Sequence, residues 1–116
     1  MTRLATISGS IVIGQTQSNA IILGENNAPV AVTTGSNITA TKLTFLVSND
    51  GITYSPLYDS TGTEVSITTG SFARAYGLDI NTFYPWSSMK VREGDSGSSV
   101  AQATVNTLVT VSTRYI

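Results

Sequence analysis

The sequence predicts an all-β fold, an antiparallel β-sandwich of jelly-roll-like form, on three observations. Apolar residues alternate with polar ones at period two in several short runs. Glycine, asparagine and aspartate punctuate those runs about every eight to twelve residues, the spacing of strands and turns in a sandwich. No apolar stripe keeps a helical period along the chain. The length of 116 residues is that of one domain, with no linker or second domain in view.

Taken in order, Ile11 to Ile13 closes at Gly14, and Ala20 to Leu23 closes at Gly24. Joined by Gln15 to Ser18, these runs read as a hairpin. Residues 1–24 also read as an arm that contacts a neighbouring subunit or a capsid. Glu25 to Pro29 has loop composition, Val30 to Thr34 reads as a strand, and Gly35 to Asn37 is a break. Lys42 to Ser48 is a central strand, with Leu43, Phe45 and Val47 on one face and Thr44, Leu46 and Ser48 on the other. Asp50-Gly51 is a hairpin turn signal, Ile52 to Leu57 the returning strand, and Pro56 marks it as an edge or bulge. After the turn at Asp59 to Gly62, Val65 and Ile67 alternate as a half-buried strand. Phe72 to Tyr76 reads equally as a short strand or a helical turn. Leu78 to Trp86 is irregular and rich in aromatics, and Ser87 to Val91 turns Met89 and Val91 inward. Glu93 to Gly97 reads as a turn. Thr104 to Tyr115 is the closing strand, with Val105, Val109, Val111 and Tyr115 on one face.

Composition excludes whole classes of function. The chain has no cysteine and no histidine, which removes thiol chemistry, the usual general base near neutral pH and the usual zinc ligands. Six basic and seven acidic residues leave a net charge of −1 with no run of one sign, so no nucleic-acid partner is expected. No signal-peptide core and no membrane-length apolar window is read. Eighteen threonines and fifteen serines supply the polar surface instead, a composition suited to strands and to neutral protein contact.

Four motifs test the non-enzymatic reading. Gly94-Asp95-Ser96-Gly97 matches the segment around the nucleophile of trypsin-like serine proteases. That family needs a histidine base, which the chain lacks, and Ser98 replaces its following glycine. A dyad of Ser96 with Lys90 or Lys42 is the remaining nucleophile option. The carboxylates Glu25, Asp50, Asp59, Glu64, Asp79, Glu93 and Asp95 have no spacing that forces a glycosidase pair, and the aspartates suit turns. Glu93 and Asp95 are the one close loop pair for calcium, which needs more oxygen ligands than they supply. Asn37-Ile38-Thr39 fits the N-glycosylation pattern without a secretion signal to support it. No catalytic residue, metal site or cofactor is therefore expected.

Leu43 to Gly51, Tyr58 to Val65, Ala75 to Asp79, Met89 to Gly94 and a closing β run ending near Arg114 together resemble small β-sandwich structural proteins of tailed bacteriophages, of the capsid decoration or cement type. The resemblance covers roughly residues 43–114. It implies that Ser48 to Gly51 joins two strands and that Lys90 to Gly94 is a strand leaving for a loop. It also implies a virion protein on the capsid surface, made in the host cytoplasm, contacting the major capsid protein and forming a dimer or trimer, with no membrane partner. Assembly contacts are then expected at Ile11, Ile13, Ile21 and Leu23. A second interface or ligand platform is expected at Tyr84 and Trp86 within the cluster Phe83 to Trp86. The alternative is a carbohydrate- or receptor-binding module of a fibre or tail, using those aromatics.

Overall fold

A computed structural model describes residues 4–24, 27–69, 74–83, 85–103 and 105–115. The strands are β1 (Leu4–Ile11), β2 (Ile21–Ile22), β3 (Asn27–Thr34), β4 (Lys42–Ser48), β5 (Ser55–Pro56), β6 (Ser66–Thr68), β7 (Arg74–Gly77), β8 (Ser88–Glu93) and β9 (Thr107–Tyr115). A single helical turn, α1 (Ile80–Phe83), lies between β7 and β8. The strands form two antiparallel sheets, ordered β1-β9-β3-β7 and β2-β8-β4-β5, with β6 also pairing β4. With β6 set aside, the pairing is nested: β1 with β9, β2 with β8, β3 with β7 and β4 with β5.

Period-two patterning builds the space between the sheets. The first sheet contributes Ile11, Val32, Val109 and Val111, and the second contributes Ile21, Leu43, Phe45, Val47, Met89 and Val91. Phe83 of α1 closes one end, its ring edge-on to Phe45 with centroids 5.0 Å apart. The aromatic segment read as an irregular loop thus contains a helical turn that delivers a core residue. β4 is buried on both faces, because the hydroxyl of Thr44 is held by the Gly94 carbonyl and by Arg92 Nε.

The two N-terminal apolar runs do not pair with each other. β1 pairs β9 from Thr107 to Arg114 in the first sheet, while β2 pairs β8 in the second. The hairpin expected there is a crossing between layers. Gly9 permits it: a Cβ at that position would sit 3.0 Å from Ile21 Cδ1.

Other differences are local. The loop after β4 is longer than a two-residue turn, and Ile52 lies out in solvent while Asp50 Oδ1 accepts the Ile52 and Thr53 N–H groups, both at 2.8 Å. Pro56 does sit on an edge strand. Pro29 lies inside β3, at a bulge against β9 and beyond the reach of β7, so its missing N–H costs no ladder bond. Val105 precedes β9 and is exposed, so the buried face of that strand begins at Thr107.

Candidate interaction surface

The expected assembly residues divide sharply. Ile11 and Ile21 are fully enclosed and Leu23 nearly so, which places all three in the core of their own chain. Ile13 is 51% exposed, beside the exposed Val12, on the segment that leaves β1. Its N–H donates to Asn106 Oδ1 at 2.9 Å, which ties that segment to the approach of β9. Tyr84 lies outside the described residues. Trp86 packs half-buried against the core, and its indole N–H donates to the Thr82 carbonyl at 3.2 Å. It lines a shallow groove of about 510 Å³ with the exposed Tyr58, Asp59, Asp79 and Pro85.

The residues that suggested chemistry are engaged in holding loops. Ser96 Oγ donates to Glu64 Oε2 at 2.7 Å and accepts from Arg92 at 2.9 Å, while Glu64 and Arg92 form a largely buried ion pair. Lys90 stands over the Tyr54 ring and Lys42 pairs with Asp95, so neither lysine serves Ser96 as a base. Asp95 also accepts the Gly97 and Ser98 N–H groups; these backbone bonds, then Lys42, hold its carboxyl below the ordinary aspartate value. Asp59 is lowered likewise by Thr61 and Thr63 in the turn that it organises.

Glu93 and Asp95 do not converge on an ion. Glu93 turns inward at the end of β8, where Oε1 accepts the N–H groups of Thr39 and Ala40, each at 2.9 Å. Oε2 is buried without a hydrogen-bond partner, and desolvation raises the carboxyl above the ordinary glutamate value. Among the described residues, no group of three acidic, histidine or cysteine side chains could hold a metal. Ile38, inside the glycosylation pattern, is buried, and the hydroxyl of Thr39 is bonded to Gln102.

The outward face of the first sheet is more informative. Register puts Thr6, Ser8 and Ser10 of β1 opposite Ser112, Thr110 and Leu108 of β9. The same face continues through Ala31 and Thr33 of β3 to Gly77 and Ala75 of β7. These ten positions carry small side chains and one exposed leucine, without a charge. Ser8 Oγ and Thr110 Oγ1 share a hydrogen bond of 3.1 Å across the strands. Only Arg114, at one end of β9, is charged along this row. Alternate Ser/Thr residues in β1 and β9 carried the signal in the sequence. Their assembly into one surface depends on pairings more than 100 residues apart in the chain.

In class, the chain is a two-sheet antiparallel β-sandwich whose reactive-looking groups are spent on its own loops. No family model and no curated protein matches it. Among solved structures it is similar to the SPBc2 prophage-derived protein YomS, at 9% identity over 98% of this chain and 95% of that one, with a TM-score of 0.61. At that identity the likeness shows the fold. The Yersinia pseudotuberculosis-derived mitogen (14% identity, 100% and 88% covered, TM-score 0.41) and the cyanophage Pam1 capsid asymmetric unit (15%, 98% and 84%, 0.33) overlap too loosely to carry an argument.

Proposed function

We propose that this chain is a structural protein of a tailed-phage particle, a decoration or cement protein that binds the major capsid protein on the head surface. The observation that carries the reading is the uncharged outer face of the β1-β9-β3-β7 sheet. Burying hydroxyls against a protein costs far less than burying charges, and each hydroxyl can donate and accept. Ile13 and Val12, exposed at the end of β1, extend this surface with apolar contact area. Two observations support the reading at the level of fold. Nested antiparallel pairing is what a long hairpin wound into two sheets produces, the jelly-roll pattern common in viral capsid and lectin domains. The likeness to a prophage-derived protein points the same way, as analogy.

The test is to mix purified protein with heads lacking it and count bound copies. Saturable binding at a number set by icosahedral symmetry is expected. Thr33→Glu and Thr110→Lys, which place charges in the middle of the neutral face, should weaken binding at least tenfold while leaving thermal unfolding unchanged. Binding that survives both substitutions, or the absence of binding to heads, overturns the reading.

A glycan-binding module is the second reading, and the groove beside Tyr58 and Trp86 is the observation in its favour. Against it, Trp86 is half-buried with its indole N–H committed to Thr82. A saturable change in the fluorescence of this single tryptophan on glycan titration would favour it.

A further inference from the structure

An unpaired strand edge invites another strand, and proteins ordinarily blunt such edges with shortness, proline or charge. Among the described residues, three of the four sheet edges follow that rule: β2 has two residues, β5 has two including Pro56, and β7 has four and opens on Arg74. β1 does not. Its eight residues contain no charge and no proline, and they pair with β9 without a register shift.

Hydrogen bonding shows which groups this edge presents. Ser10 N–H donates to Asn19 Oδ1 at 2.7 Å, and the Ser10 carbonyl accepts from Asn19 N at 3.3 Å. The backbone groups of Ser10 therefore point away from β9. Because direction alternates along an unbroken antiparallel ladder, those of Ser8, Thr6 and Leu4 point away too. The short Ser8 to Thr110 hydroxyl contact agrees, since side chains approach most closely at pairs that exchange no backbone bonds. Among the described residues, Asn19 thus covers one end of the edge, and Leu4, Thr6 and Ser8 present N–H and C=O outward.

We infer that β1 pairs antiparallel with β1 of a second copy about a two-fold axis at Thr6, joining two four-stranded sheets into one of eight strands. This register pairs Thr6 with its own copy and Leu4 with Ser8 of the other chain, so every outward group of the three residues is bonded and the covered Ser10 is left alone. A second copy suits the edge because Leu4–Ile11 brings no charge from either side. It also answers a shortage of area. Four strands about 4.8 Å apart and averaging some seven residues give a neutral face of about 450 Å², against the roughly 800 Å² per partner of a standard stable interface. Two joined sheets present about 900 Å². The inference deepens the assembly reading above by naming its self-contact.

The chain's lack of cysteine makes the test clean. Light scattering of the wild-type protein should give the mass of two 12.2 kDa chains at micromolar concentration. Thr6→Cys should cross-link to a dimer on oxidation, since residues opposite each other at such a pair lie about 5.5 Å apart between Cα atoms, within disulfide range. Thr33→Cys, on the same face but an interior strand, should not. Ser8→Pro removes an outward N–H and should give a folded single-chain species. A single-chain mass for the wild type up to millimolar concentration overturns the pairing. So does a Ser8→Pro protein that stays dimeric, or one that unfolds, because unfolding would mean the Ser8 N–H belongs to the β9 ladder. A single-chain wild type that still binds heads sinks the pairing alone. A paired wild type that ignores heads sinks the capsid reading alone.

Discussion

Glu93 offers the sharpest test of how the interior is held together. Its carboxyl is fully buried at the end of β8 and supplies the acceptor for two backbone N–H groups more than 50 residues away in the chain. Thr39 N–H has a second acceptor in Gln102 Oε1 at 3.3 Å, whereas among the described residues Ala40 N–H has Glu93 alone. Glu93→Ala should therefore orphan one buried donor, costing about 1–3 kcal/mol. The lost burial of its Cγ methylene, at about 0.8 kcal/mol, brings the total to about 2–4 kcal/mol. Glu93→Gln keeps the Oε1 acceptor and removes the titration. Burial raises the Glu93 carboxyl in the folded state, so the native protein holds its proton to higher pH than the unfolded chain does. Stability from this group is complete below the ordinary glutamate value of 4.5 and is lost as pH rises through the folded value. Asp50, Asp59 and Asp95 work in the opposite sense. Their lowered carboxyls contribute stability above 3.8 that disappears as pH falls through their folded values. Urea unfolding followed by circular dichroism, from pH 3 to pH 9, should show the Gln variant gaining on the wild type as pH rises from about 4.5. A difference between the two that stays constant across this range would refute the account.

Three further outcomes follow from the same structure. Gly94 has φ of 85°, and a Cβ there would overlap the Ser98 carbonyl oxygen, so Gly94→Ala should lower stability by more than about 1–3 kcal/mol, the strain of a non-glycine residue in that region alone, measured by denaturant midpoint. Glu64→Gln leaves the largely buried Arg92 guanidinium without its charge partner and should cost about 1–3 kcal/mol, with proteolysis of the 94–97 loop rising in parallel; unchanged loop cleavage would count against the network. Deleting residues 1–24 removes an edge strand from each sheet and three core side chains, so the remainder should lose its cooperative melt; a remainder that melts like the full chain would restore the reading of this segment as a detachable arm.

What could be read in advance was whatever depends on neighbours in sequence. The alternation from Lys42 to Ser48 marks β4 at its observed bounds, and Met89 and Val91 face inward from β8 as their spacing required. Pairing is a different matter, because a partner strand leaves no local mark. Ile11 and Ile21, each followed closely by a glycine, have the look of a hairpin, yet the contact that positions them is Gly9 against Ile21 across the layers. Glu93 reads as part of a turn because charge usually means exposure. Only the approach of Thr39 and Ala40 turns it into an interior acceptor. The neutral face escaped for the same reason: serine and threonine alternate within β1 and β9, but their union into a surface rests on a pairing between the two ends of the chain.

The polar residues fall into two populations, and the division bears on function. Inside, Glu93, Gln102, Thr44 and Ser18 each bind backbone groups of distant segments, fixing the 37–40 and 94–103 segments and β8 in place. Outside, Thr6, Ser10, Thr33 and Ser112 form a layer of short hydroxyl-bearing or methyl-bearing side chains over a rigid sheet. Short side chains lose little conformational entropy when covered, and hydroxyls can exchange water for protein partners without the penalty that a lysine or glutamate would bring. A soluble protein with no use for such a face would gain by charging it, since scattered charges oppose association. The neutrality of this face, beside an edge strand equally uncharged, is the feature on which the assembly proposed above rests. The groove at Trp86, lined by turn-forming aspartates and a tethered indole, lies with the parts of the chain that hold the sandwich together.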